Sequence, residues 1–223
     1  MLRVIFTKNS QIRDTVISSL NLSKNPTQVS VDFQVYQKND WILIFSTSLD
    51  VDVVLPTILE NWDPDRLYML YFWRSVDMVH EIGDVILPNV FMNYVDGVAT
   101  LDTESENPEL PQISAKFLDI YNEQKDYYVE DYGLSVWGIV VDRVPEDESL
   151  NTALMMTYEW DIYTSESLDP AYTVVTGDLV PAMILCGINQ WKKAPHESGT
   201  PEQMAVRNML WTIRLMEEDS EVE

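Results

Sequence analysis

The chain is poor in the residues that make covalent and metal chemistry easy to recognise. One cysteine, Cys186, rules out an internal disulfide and any cysteine-built metal cluster. The two histidines, His80 and His196, stand at no metal-ligand spacing. No metal site and no cofactor are expected. Glycine is scarce, with 7 in all and none before Gly83. The glycine-rich loops whose backbone N–H groups approach phosphate closely are therefore missing from the first part of the chain. Basic residues are few, 14 against 37 acidic ones, for a net charge of −23. A field of that sign repels polyphosphates and leaves little Lys or Arg to neutralise a duplex, so nucleic acid is not expected as a partner. No apolar run approaches the ~20 residues of a bilayer span. The stretch "MLRVIFTKNS" has neither the long apolar region nor the cleavage site of a signal peptide. The expectation is a cytoplasmic protein without a membrane partner.

What is present is enough apolar material for a sizeable core: 46% hydrophobic residues in a chain of 223. No internal repeat or low-complexity linker interrupts it, so residues 1–223 read as one domain, with 216–223 an acidic tail. "LRVIF" (2–6) is a short buried strand, and "SQIRDTVISSL" (10–20) puts Ile12, Val16, Ile17 and Leu20 on one helical face behind a Ser10 cap. "VSVDFQVY" (29–36) alternates as a strand and turns at "KND" into the apolar "WILIF" (41–45), a hairpin. A helix with Pro56 inside is predicted over 50–62. Strands are predicted over 67–73, 84–92, 134–141 and 182–188. A final helix is predicted over 200–216, with Thr200 as cap and Gln203 completing a capping box. Alternation of strands and helices implies an α/β fold, a mixed central sheet flanked by helices on both faces.

"LVPAMILCGINQW" (179–191) raises the functional question. Its apolar run reads as a strand buried on both faces, and ligands in open α/β sheets sit beyond the carboxyl ends of such strands. Asn189 and Gln190 occupy that place. Two readings stand: the amides contact a ligand, or they end the strand by bonding loop backbone. An amide can orient a ring nitrogen but cannot protonate it.

Together with "LRVIF", "WILIFSTSLDVDVV", "DPDRLYMLYFWRSVDMVHEIGDVILPNV" and "DIYTSESLDPAY", this stretch resembles the purine nucleoside phosphorylase and methylthioadenosine/adenosylhomocysteine nucleosidase superfamily over nearly the whole chain. "IGDVILP" carries the resemblance best, since the family has a Val-Gly-Asp-Val-Val turn at this distance after a Pro-Asp and a buried strand. The resemblance implies a nucleoside phosphorylase-like fold and a substrate with a glycosidic bond. At the functional positions the chain is divergent. The family's Ser-Gly-Ile-Gly loop is Ser46-Thr47-Ser48-Leu49, and its Ala-Gly-Gly turn beneath the purine is Trp73-Arg74-Ser75. The Met-Glu pair that grips the ribose is Ser165-Glu166. The Arg-x-x-Ser-Asp at the last strand is Cys186-Gly187-Ile188-Asn189-Gln190, and the hydrolases' acidic loop after the first strand is Lys8-Asn9-Ser10-Gln11.

The resemblance thus implies a nucleosidase-like protein that binds a purine nucleoside or base and hydrolyses its N-glycosidic bond. The alternative is a catalytically silent relative that binds a ligand or another copy of itself. Phosphorolysis is not expected. Substrate-binding candidates are Ser46, Phe72, Trp73, Arg74, Glu166, Asn189 and Gln190. Asp142 and Asp178 are the carboxylates to inspect for acid–base work. Phe72 and Trp73 either wall the base or belong to the core, and Arg74 either pairs with a carboxylate or faces a pocket. Family members form dimers or hexamers, which implies a homodimer through 50–62.

Overall fold

The structure, a computed structural model, describes residues 1–23, 27–30, 32–48, 50–75, 80–86, 90–95, 98–100, 137–141, 162–164, 174, 179–190 and 200–218. In chain order these form β1 (Arg3–Thr7), α1 (Ser10–Leu20), β2 (Thr27–Ser30), β3 (Phe33–Lys38), β4 (Trp41–Ser46) and α2 (Val51–Trp62). Then come β5 (Arg66–Ser75), β6 (Val85–Ile86), β7 (Val90–Val95), β8 (Val98–Thr100), β9 (Trp137–Val141), β10 (Ile162–Thr164), β11 (Ala182–Gln190) and α3 (Pro201–Glu218).

All the described strands join one mixed sheet, in the order β2-β3-β4-β1-β5-β10-β9-β7-β8, with β11 on β5 and β6 on β11. β5 organises it. The parallel strand β11 fills one edge of β5 from Ala182 opposite Leu67 to Gln190 opposite Arg74. The other edge is shared in succession. Parallel β1 holds it as far as Phe6 opposite Met69, and antiparallel β10 takes it at Tyr163 opposite Arg74 and Ile162 opposite Ser75. The sheet therefore forks between Met69 and Arg74.

Both faces of β5 are buried, which explains its continuous apolar sequence. Leu67, Met69, Tyr71 and Trp73 join a core with Val51, Leu55, Ile58 and Leu59 of α2. Tyr68, Leu70 and Phe72 join a second core with Ile12 and Val16 of α1 and Ala205, Val206 and Met209 of α3. Helices thus cover both faces, as expected. α3 lies close on β11: a Cβ at Gly187 would stand 2.9 Å from Met209 Cε and 3.1 Å from Ala205 Cβ. At the neighbouring turn Gly83 takes a φ of +97°, open to glycine at low cost, while Asn208 Nδ2 donates to its carbonyl at 2.7 Å.

Three local expectations are corrected. α1 is capped by Asn9, whose Oδ1 accepts from the N–H groups of Gln11 at 2.9 Å and Ile12 at 3.3 Å, and not by Ser10. Asn9 wins because its own N–H is fixed by Thr7 Oγ1 at 3.1 Å. The alternating stretch 29–36 is divided between β2, ending at Ser30, and β3, starting at Phe33. The stretch 84–92 is likewise divided, because β6 pairs antiparallel with β11 whereas β7 pairs with β9 on the other arm. The hairpin of β3 and β4 stands, with Asn39 at φ 51° in its turn, and so does α2 with Pro56 inside it. Thr200 caps α3, its Oγ1 accepting from Gln203 N–H at 3.3 Å.

A buried polar cluster ties the end of α3 to the amino ends of β1 and β5. Arg3 Nε lies 2.5 Å from Glu217 Oε2, Tyr68 Oη donates to Glu217 Oε1 at 2.9 Å, and the Arg3 guanidinium stacks on Trp41 at 5.2 Å. Burial, and then the Glu217 charge, push the Tyr68 phenol above its ordinary pKa of 10.0, with Arg66 opposing them. Above about pH 10 an unfolded chain releases this proton while the folded one keeps it, so the stability Tyr68 contributes is complete below that pH and lost above it. Tyr68→Phe is expected to cost roughly 1–3 kcal/mol near neutrality, by leaving a buried carboxylate oxygen short of a donor, and to flatten the alkaline loss of stability. Urea midpoints measured from neutral pH to about pH 11 check both effects; parallel alkaline declines in the two proteins would refute the assignment.

Candidate functional site

The fork in the sheet has a polar solution to a backbone problem. The carbonyls of Leu70 and Phe72, two residues apart on β5, face the shared edge where β1 has departed and β10 has not yet joined. A buried carbonyl left without a donor is costly. Two buried threonines supply the donors: Thr7 Oγ1 at the end of β1 donates to the Leu70 carbonyl at 3.1 Å, and Thr164 Oγ1 at the end of β10 donates to the Phe72 carbonyl at 3.0 Å. Sequence reasoning missed both. The visible signal was a hydroxyl residue closing an apolar run, as in "RVIFT". Such a point, where the connections leaving neighbouring strands diverge, is where α/β sheets open a crevice for ligands.

The candidate residues distribute around this fork. Ser46 ends β4, fully buried opposite Phe33, and its Oγ accepts from Ser48 N–H at 3.0 Å. Ser48 Oγ accepts in turn from Asp50 N–H at 3.1 Å, and Thr47 N–H donates to the Asp32 carbonyl at 3.1 Å. The described N–H groups between β4 and α2 are thus turned inward. Phe72 is buried in the core shared by α1 and α3, and Trp73 is fully buried in the core shared with α2. Both rings are packed as core residues.

Arg74 is half-buried at the end of β5, with Tyr163 opposite it on one side and Gln190 on the other. Among the described residues no carboxylate forms an ion pair with it. Asn189 sits at a bulge: β11 shifts register between Ile188, opposite Trp73, and Gln190, opposite Arg74, so Asn189 has no counterpart on β5 and is 9% exposed. Bulges are rare between parallel strands and serve to re-aim side chains, often beside active sites. The run of β11 through Gln190 is longer than the predicted 182–188. Glu166, Asp142 and Asp178 lie outside the described residues. So does the side chain of Gln190. Among the described residues no three His, Cys, Asp or Glu side chains come together as a metal site, and no helix is long and apolar enough to cross a membrane.

Comparisons with known proteins place this architecture. No family model matches the sequence, and no curated protein matches it either. Solved structures do. The fold is similar to that of a 5′-methylthioadenosine/S-adenosylhomocysteine nucleosidase from Campylobacter jejuni, with a TM-score of 0.62, 12% identity and 100% of each chain covered. It is similar also to the 5′-methylthioadenosine nucleosidase of Arabidopsis thaliana, with a TM-score of 0.64 and 10% identity over 97% of this chain and 96% of that one. A futalosine hydrolase from Helicobacter pylori gives 0.62 and 10% over 96% and 97%. The chain has the nucleoside phosphorylase-like fold, in a sequence-divergent form.

The threonine contacts lead to a direct test. Thr7→Val and Thr164→Val keep the side-chain shape and remove a donor from a buried carbonyl, so each is expected to cost about 1–3 kcal/mol. The exposed Thr57→Val on α2 serves as control and should change stability by less than about 0.5 kcal/mol. Chemical denaturation of the three variants checks this, and fork variants as stable as the control would show that water or another group serves those carbonyls.

Proposed function

We propose that the chain binds a purine nucleoside at the fork of the sheet and hydrolyses its N-glycosidic bond. The observation that carries the proposal is the fork itself. It brings the ends of β1, β5, β10 and β11 to one place in a fold shared over its full length with nucleosidases and a hydrolase. Glu166, which follows β10 by two residues in the sequence, is the ribose anchor, because a carboxylate can accept from two adjacent hydroxyls. Asn189 and Gln190 orient the base, and Phe72 and Trp73 back the site from inside the cores. Asp142, next after β9, and Asp178 are the carboxylates for acid–base work.

Water is the better nucleophile for this site than phosphate. Anions bind where helix starts or loops present unused N–H groups. Here Asn9 takes two of those at the start of α1, and Ser46 and Ser48 take two in the loop before α2, whose own first turn carries no side-chain cap. The second reading, a silent ligand-binding relative, is favoured by the fork residues themselves. Thr7, Ser46, Arg74, Thr164 and Asn189 include no carboxyl group. For either reading the outward side of α2, where Val53 is 68% exposed, is the surface we assign to a homodimer contact.

Glu166→Gln separates sugar recognition from base recognition. It is expected to weaken inosine and adenosine roughly ten- to a hundredfold while leaving hypoxanthine and adenine unchanged, since only the nucleosides carry ribose. Calorimetric titration measures this, and ribose release should need no phosphate. Equal losses for nucleoside and base would remove the anchor role, and no binding of any of the four to the wild type would defeat the nucleoside reading altogether.

A further inference from the structure

Arg74 is the unusual group at the fork. The chain carries 37 acidic residues, yet among the described residues none pairs with this half-buried guanidinium. It stands on the last step of β5 that pairs with β11, between Tyr163 and Gln190, beside the register shift at Asn189. Alternation along β5 sets it on the same face as Tyr68, Leu70 and Phe72, the face over which α1 begins. A half-buried cation with no carboxylate partner among the described residues is a candidate for contact with a ligand.

Resting on the nucleoside reading, we propose that Arg74 is a catalytic residue that holds a 6-oxopurine and stabilises it as it departs as an anion. The guanidinium is a planar fork of donors, and it matches the O6 and N7 acceptors of a 6-oxopurine in two parallel hydrogen bonds. It cannot match adenine, whose N6 amino group is itself a donor at that edge. It acts by its charge and its fork of donors, not as an acid. Asn189, also unable to titrate, adds an amide donor beside it.

The balance of the step is simple. The C1′–N9 bond breaks and its electron pair leaves with N9, spreading over the purine to O6 and N7, where the Arg74 N–H groups donate. The oxygen of a water molecule bonds to C1′, and its proton passes to a carboxylate acting as base, the role proposed for Asp142 or Asp178, and from there to solvent; no acid protonates the departing purine. The released base is protonated by solvent afterwards. Donors placed where charge develops contribute roughly 10²–10³ in kcat when they act in a water-poor site.

The test uses the full chain, inosine and adenosine, with binding by calorimetry and turnover by ribose release. Wild type is expected to bind inosine roughly ten- to a hundredfold more tightly than adenosine and to hydrolyse inosine without the alkaline loss of rate that a titrating proton donor imposes. Arg74→Gln should lower kcat for inosine about a hundredfold and erase the preference over adenosine. Arg74→Lys, which keeps the charge and loses the fork, should recover part of kcat but not the preference. Thermal melting of both variants confirms that they fold. Adenosine turned over as well as inosine, an alkaline limb set by a proton donor, or an Arg74→Gln variant with unchanged kcat would overturn the proposal. Nucleosides bound through Glu166 but never hydrolysed would overturn it too, and would leave the binding reading intact. Failure of every nucleoside to bind would remove both.

Discussion

The structure depends on how one strand edge is shared. β5 is long enough to serve two neighbours in turn on one side while β11 runs the full length of the other. Had β1 continued alongside it, the backbone groups of residues 70–73 would have been satisfied by a regular ladder and the sheet would have closed. Because β1 stops at Thr7 and β10 ends at Thr164, the freed carbonyls are served by two hydroxyls. A hydroxyl is shorter than a strand. It satisfies the carbonyl where no strand pairs with it, so the sheet forks there without a buried unpaired acceptor.

The opening is tolerable because the strand that carries it is fixed from elsewhere. The two cores share β5 and β11, so residues of alternating direction on the same strands are buried against α2 on one side and against α1 and α3 on the other. α3 approaches β11 as closely as Gly187 allows, and its far end is held by Arg3 and Tyr68 through Glu217. That ion pair lies at the amino ends of β1 and β5, away from the fork. Its desolvation is costly, and its two charges together with the phenol satisfy each other well enough for it to persist.

These parts were unevenly legible in the sequence. "LYMLYFW" and "AMILCGI" announce strands buried on both faces, because such strands need apolar residues at every position. The helices 10–20, 50–62 and 200–216 were legible from their apolar spacing and punctuation. Periodicity failed where it ran on through a break. The alternation of "VSVDFQVY" passes across the turn at Asp32, which lacks the glycine or proline that marks most turns, and "DVILPNVFM" contains Pro88, a residue unable to donate to a ladder and so a sign that one strand was too many residues long. The fork was not legible. Which neighbour fills an edge, and where it leaves, is decided by long-range pairing, and so is the bulge at Asn189. The resemblance through "IGDVILP" supplied the fold that periodicity alone could not, and the solved structures share that fold at identities near 10%.

Divergence at the candidate positions runs mostly in one direction. Several positions where the family that the sequence resembles carries glycine or an acid hold other residues here: Arg74 for a glycine, Asn189 and Gln190 for the pair ending in Asp, and Asn9 within the counterpart of the acidic loop, while Glu166 keeps the family's glutamate. Each change removes either close backbone approach or proton transfer. Hydrogen-bond donors remain. On the proposed function, the donors of Arg74, Asn189 and Gln190 select a ligand by its acceptors, and where bond cleavage places negative charge on those acceptors, the same donors hold the product more strongly than the substrate. Recognition and charge stabilisation then become one interaction, and a separate acid is needed only for leaving groups that offer no acceptor to the guanidinium.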